Sequence, residues 1–125
     1  MRTRIIIASA LLLAVASAPL FAHHSISLDY LRNQDVTLRG VVVEVILRNP
    51  HSEISVHVVN DSGETELWTL ELDDAGELSE LGIVDGTLQA GDELVIDGNP
   101  ARDGSNGLFI QRFHRPFDGL EYEDD

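Results

Sequence analysis

Alternating hydrophobic and polar residues dominate the middle of the chain, in the stretch 36–61. The first half, Val36–Leu47, is rich in Val, and the second half, His51–Asn60, alternates around Ile54, Val56 and Val58. A period of two with β-branched side chains is typical of strands, and the Asn-Pro pair between the halves is typical of a turn. The stretch therefore predicts two antiparallel strands, to which the later elements are added.

The sequence downstream predicts three more strands and one short helix. Strands are expected at Glu64–Leu72, Glu93–Gly98 and Gly107–Phe113, and a helix capped by Asp73-Asp74 is expected at Ala75–Leu81. This order predicts a mainly β fold, a small five-stranded OB-type barrel with one short helix between strands 3 and 4. A small open β-sandwich is the alternative.

The first strand changes the parity of its apolar residues at Gly40. A glycine at such a point indicates a bulge or a sharp bend. Beyond it, the inward-facing residues are expected to be Val41, Val43, Val45 and Leu47.

The two ends of the chain differ in character from the middle. Residues 1–22 combine an Arg-containing start, an apolar run and a small residue at Ala22, which predicts a secretory signal peptide that is cleaved before His23. The apolar run is shorter than the roughly 20 residues of a membrane span, so we expect a periplasmic protein with no stable span after cleavage. Residues 23–35 are then expected to form a lead-in that packs on the barrel through Ile26, Leu28 and Tyr30. Residues 36–117 are expected to form the barrel, and residues 118–125 an acidic tail.

The charge of the chain is strongly negative. It contains no Lys, and removal of two Arg with the signal leaves six Arg against 22 acidic residues, a formal net charge of −16. Phosphate backbones are bound through Lys and Arg, so we expect a small ligand, a cation or a protein as partner, and no nucleic acid. The absence of Cys, and of Met beyond Met1, excludes sulfur ligands for a metal.

Histidines supply the best candidate for a metal site. Cleavage before His23 gives this residue a free α-amino group beside its imidazole, and these groups titrate near ~8 and ~6.5. Nitrogen ligands of this kind favour Cu(II), with Zn(II) as the next candidate. The predicted site comprises His23, His24 and His51, with Glu53 as a further ligand or as a residue that orients one.

The outward face of the second strand is a second candidate site. His51, Glu53, Ser55 and His57 alternate with the apolar positions. OB-type barrels bind ligands through one sheet face and its loops, so we expect a binding face that also includes Arg39 and Glu44.

Several short motifs resemble a family of small exported bacterial proteins that is classed only as a domain of unknown function. The motifs are Ala22-His23-His24-Ser25, Val36–Gly40, Asn49-Pro50-His51, Gly91-Asp92 and Pro100–Gly104. Leu47 and Ile83 stand where Trp is common in that family. The resemblance implies export and an OB-like barrel, and it assigns no activity.

Three functions are therefore compared. The first is an exported, non-catalytic binding module of unknown ligand, because the sequence contains none of the common catalytic motifs. The second is a Cu(II)- or Zn(II)-binding protein that uses His23, His24 and His51. The third is a structural envelope subunit with an apolar patch at Phe109, Phe113 and Phe117.

Overall fold

The computed structural model describes residues 29–125 as six strands and one helix. The elements are β1 Val36–Ile46, β2 Ser52–Val59, β3 Thr65–Leu72, α1 Ala75–Glu80, β4 Glu93–Pro100, β5 Gly107–Arg115 and β6 Leu120–Glu123. The predicted signal peptide and the lead-in before Asp29 lie outside the described residues. No helix within 29–125 has the length and apolar character needed to cross a membrane.

The strands form a closed barrel. Their order in the sheet is β3-β2-β1-β4-β5-β6, and a parallel pairing of β3 with β5 joins the two sides. In that pairing Thr69, Leu70 and Glu71 lie opposite Gly107, Leu108 and Phe109. Closure of five strands with a short helix between β3 and β4 confirms the predicted OB-type barrel and excludes the open sandwich.

The turn between β2 and β3 follows directly from its sequence. The Asn60 side-chain oxygen accepts hydrogen bonds from the amides of Ser62 and Glu64, both at 2.9 Å. Gly63 adopts a φ of 81°, which costs glycine little because it has no Cβ. This turn fixes the register of the whole β2–β3 ladder.

The side-chain parity of β1 differs from the prediction. Val42 is buried at 2% exposure, whereas Val41 and Val43 are 43% and 40% exposed. The expectation that Val41 and Val43 face inward was therefore wrong, but Val45 and Leu47 do pack against the core.

The physical reason is the position of the bulge. The register of β1 with β2 shifts between Val42 and Glu44, so the extra residue is Val43 and not Gly40. Gly40 has a different role, because a Cβ there would lie 3.0 Å from Cβ of Val56. The glycine leaves room for the Val56 side chain at the point where β1 pairs with both β2 and β4.

The C-terminal residues belong to the barrel and are not a separate tail. β6 pairs with β5 from Arg112 to Arg115. Tyr122 is 3% exposed and stacks on Phe113 with ring centroids 5.3 Å apart. The boundary predicted at residue 117 was therefore wrong. β6 is short, and its two apolar residues, Leu120 and Tyr122, alternate with acidic residues, so the segment resembled an acidic tail.

The expected apolar surface patch is also corrected. Phe109 and Phe113 are both 2% exposed, and only Phe117, at 95%, lies on the surface. A register shift between β4 and β5 makes Gln111 an extra residue. Ile110 and Phe113 can therefore both join the core, while Phe109 on the other face is covered by Tyr30.

The short helix α1 matches its prediction closely. The Asp74 carboxylate caps it by accepting a hydrogen bond from the Glu77 amide at 2.9 Å, and Leu78 is fully buried. Gly82, with a φ of 80°, ends the segment. The helix closes the end of the barrel at which β3 finishes.

Candidate functional site

The outward face of β2 is formed by the polar residues that the sequence indicated. Ser52, Ile54, Val56 and Val58 are buried, whereas the intervening positions are half-buried or exposed. The outward residues are His51, Glu53, Ser55 and His57.

The predicted binding face also included His57 of β2 and, from β1, Arg39 and Glu44, and the structure places these three residues differently. Glu44 lies opposite Ser55 and thus on the same face. His57 is exposed and lies between Val41 and Leu67. Arg39 is held in an ion pair with Glu93 of β4, on the side of β1 away from His51. The structure therefore brings Glu44 to the β2 face and directs Arg39 away from it.

A carboxylate pair occupies the end of β2 and β3. Glu53 and Glu71 are direct cross-strand partners. At the turn the Asn60 amide donates to the Glu64 carbonyl, so these two residues form a hydrogen-bonded pair. Pair types alternate along an antiparallel ladder, which makes Glu53 and Glu71 a non-hydrogen-bonded pair. The side chains of such pairs lie closest together. Like charges placed directly opposite one another destabilise a sheet.

His51 adjoins this carboxylate pair. Its Nδ1 lies 3.9 Å from Oε2 of Glu71. Arg48 donates from Nη2 to Oε2 of Glu53 at 3.1 Å and from Nε to the His51 carbonyl at 3.3 Å. Sequence reasoning missed Glu71, although the turn at 60–63 fixes its position opposite Glu53.

The aromatic rings of Phe109 and Tyr30 lie beside His51 and the carboxylate pair. Phe109 contacts Tyr30 at a centroid distance of 5.9 Å and His51 at 6.2 Å, and the Arg32 guanidinium lies 5.8 Å from its ring centre. Burial raises the pKa of Tyr30, and the charge of Glu71 and a hydrogen bond with it raise that pKa further. The Tyr30 side chain therefore lies beside Glu71 at the same end of the β2–β3 pair.

The lead-in is anchored at this same place. Tyr30 forms a β-bridge with Ala101, and the Leu31 amide donates to the Pro100 carbonyl at 2.9 Å. The predicted packing of the lead-in is thus confirmed for Tyr30, whereas Ile26 and Leu28 lie outside the described residues.

A cleft of about 650 Å³ continues from these residues along β3. One wall is the β3 side, with Leu67 and Thr69, and the other is the loop 101–106 between β4 and β5. Its third side is formed by Asp29 and Tyr30. The cleft thus lies between the face of β3 and the loop that joins strands 4 and 5, where OB-type barrels hold their ligands.

The predicted metal site cannot be assembled from the described residues alone. His23 and His24 lie outside them. Within 29–125 there is no group of three His, Cys, Asp or Glu residues that could hold a metal ion. His51 and Glu53 are close to each other, with Glu71 beside them.

A protein-family model matches most of the chain. The model of a family described as "Family of unknown function (DUF6152)" matches residues 10–109. No curated protein is significantly similar to the chain.

Solved structures are similar in fold only. Two crystal forms of Rim1, a mitochondrial single-stranded DNA binding protein from S. cerevisiae, superpose with a TM-score of 0.51 each. Their sequence identities to the chain are 11% and 10%, and the alignments cover 70% of this chain and 95% and 94% of Rim1. These similarities support the OB-type barrel.

The same comparison corrects one expectation. The acidic charge led to the prediction that nucleic acid is not a partner. Proteins with this barrel include a single-stranded DNA binding protein, so charge composition does not justify that exclusion.

Proposed function

We propose that this chain, which belongs to the family of unknown function DUF6152, is an exported, periplasmic and non-catalytic module that binds a cation. In this proposal His51, Glu53 and Glu71 supply only part of the ligand set, and further ligands complete it, because no three of these residue types within 29–125 could hold a metal ion by themselves. The supporting observation is the direct pairing of Glu53 with Glu71 on an outward face, with the His51 imidazole 3.9 Å from Glu71. Arg48 offsets one of the two carboxylates, and a bound cation offsets the other.

A more specific form of the proposal is a Cu(II) or Zn(II) site completed by the mature N-terminus. Tyr30 and His51 both contact Phe109, with ring centroids 5.9 and 6.2 Å from that of Phe109. His23 precedes Tyr30 by seven positions, and at ~3.3–3.6 Å per position an extended chain spans up to about 25 Å. His23 and His24 can therefore reach His51, and the α-amino group and imidazoles would then supply the nitrogen ligands that Cu(II) prefers.

The test is a Cu(II) and Zn(II) titration of untagged mature protein that begins at His23, followed by calorimetry. We expect one equivalent to bind, with at least tenfold weaker affinity in His51→Ala and Glu71→Gln. Glu44→Gln is the matched control, because it removes one charge from the same face but lies opposite Ser55. One extra residue before His23 should weaken Cu(II) binding if the N-terminus is a ligand.

Two results would contradict the proposal. One is binding that Glu44→Gln weakens as much as Glu71→Gln does, which would indicate a general effect of charge. The other is affinity no higher than that of an unrelated acidic protein. If the affinity falls in Glu71→Gln and His51→Ala but is unchanged by an extra residue before His23, the cation site is supported and the N-terminus is not a ligand.

A further inference from the structure

β3 has one edge that is only partly paired. β2 covers the other edge along the whole strand, whereas β5 pairs with Thr69–Glu71 alone. In the part of the chain that the structure describes, no strand pairs with this edge between Thr65 and Trp68. Such an edge presents unpaired backbone groups and can accept an additional strand.

The direction of the free backbone groups follows from the ladder. The Thr69 amide points away from β2, because it donates to the Asn106 carbonyl at 3.0 Å. Groups of residues two apart point to the same edge of a strand. The amides and carbonyls of Leu67 and Thr65 therefore point to the open edge, towards the cleft between β3 and the loop 101–106.

The chemistry of the cleft indicates what kind of strand would fit. Its walls include the carboxylates of Asp29, Glu71 and Asp103. Its basic residue, Arg102, is engaged with the Tyr30 carbonyl at 3.4 Å. Leu67 is 54% exposed and provides an apolar contact beside these charges.

We propose that the open edge of β3 binds an extended peptide segment in which Lys or Arg alternates with apolar residues, and that this segment adds to the sheet as a further strand. Side chains of an added strand alternate between its two faces. The basic ones lie on the outward face that Leu67, Thr69 and Glu71 share, and the apolar ones lie on the opposite face, on the side of Trp68. Peptide recognition by strand addition takes its affinity from backbone hydrogen bonds and its specificity from alternate side chains. The interaction extends the proposed binding role to a protein partner and needs no metal.

The first experiment uses a fluorescein-labelled octapeptide of alternating Lys and Val, titrated with untagged mature protein in EDTA and followed by fluorescence anisotropy. The same peptide with alternate backbone amides N-methylated removes the hydrogen bonds but keeps the charge. A Glu-Val octapeptide reverses the charge. We expect the Lys-Val peptide to bind at least tenfold more tightly than either control.

The second experiment changes the edge itself. Leu67→Pro removes the amide that points to the cleft, and the ladder with β2 is retained because His57 and Leu67 form a non-hydrogen-bonded pair. Leu67→Ala is the matched control, since it keeps the amide and removes only the apolar contact. We expect a loss of at least tenfold for Leu67→Pro and less than threefold for Leu67→Ala.

The proposal is overturned if the Lys-Val peptide does not bind, or if the N-methylated peptide binds equally well. Equal affinity of folded Leu67→Pro and the unchanged protein also overturns it. Should Leu67→Pro not fold, the N-methylated peptide still decides the question. Because EDTA is present, a failure here leaves the cation proposal standing, and the metal titration tests that proposal separately.

Discussion

Replacing Asp124 by Asn is expected to stabilise the protein more at neutral pH than in acid. Asp124 follows β6 and is half-buried, and its amide donates to the Gln111 carbonyl at 2.7 Å. Burial raises the pKa of its carboxyl to about 6, and the neighbouring charge of Asp73 adds to the shift. Tyr122 donates to the same Asp73 at 2.8 Å, so this cluster joins β6 to the end of β3.

The sign of the effect follows from proton linkage. The folded state holds the Asp124 proton more tightly than the unfolded state, whose carboxyl titrates near ~3.9. Between about pH 4 and pH 6 the folded state therefore binds more protons, and this group's contribution to stability falls as the pH rises. A shift of about two units corresponds to at most ~3 kcal/mol. Partial exposure and solvent screening reduce this to about 1 kcal/mol.

The assay is urea unfolding at pH 4.5, 6.0 and 7.5, followed by the fluorescence of Trp68, the single Trp of the chain. Asp124→Asn should raise the free energy of unfolding by about 1 kcal/mol at pH 7.5 and by about a third of that at pH 4.5, where the folded-state carboxyl is neutral but the unfolded-state carboxyl is still mostly charged. Asp125→Asn is the matched control, because it removes the same charge from the adjacent exposed position. An equal effect of Asp124→Asn at all three pH values, or an equal effect of both variants, would refute the reasoning.

Two further changes test the packing of the barrel. Gly98→Ala should destabilise the protein by about 3 kcal/mol or more, because a Cβ at Gly98 would lie 2.2 Å from the Phe109 carbonyl oxygen. Urea unfolding measures this effect, and a midpoint within error of that of the unchanged protein would disprove the close approach of β4 and β5. Arg115→Lys should lower stability by about 1–2 kcal/mol, because the guanidinium donates to Asp92 at 2.8 Å, to Asp118 at 2.7 and 2.9 Å and to the Thr87 carbonyl at 2.7 Å. Thermal unfolding measures this second effect, and an unchanged melting temperature would show that a single ammonium group replaces the four hydrogen bonds.

Much of the barrel could be predicted from the local alternation of apolar and polar residues and from the residues at turns and helix ends. The alternation in β2 and β3 placed Ile54, Val56 and Leu70 in the core, and they are fully buried. The Asp74 cap and Gly82 located the helix to within one residue. These features depend on neighbouring residues, and hence on information that a short stretch of sequence contains.

The errors arose where a strand changed its parity or its partner. Val43 and Gln111 are the extra residues at two register shifts, and neither differs in type from its neighbours. Which residue of a Val-rich run bulges is decided by the packing of the adjacent strands. β6 was missed because the contacts that hold Tyr122 in place are made with Phe113 and Asp73. Neither residue belongs to the short stretch of sequence from which the strand would have been predicted.

The candidate site shows the same division. The outward face with His51 and Glu53 follows from the two-residue period of β2, which is a property of the sequence. The pairing of Glu53 with Glu71 needs the register of the hairpin, and the approach of Tyr30 and Phe109 to His51 needs the parallel closure of β3 on β5. The sequence alone therefore determined which residues face outward, whereas only the tertiary structure determined which of them meet, because residues distant along the chain become neighbours only when the barrel closes.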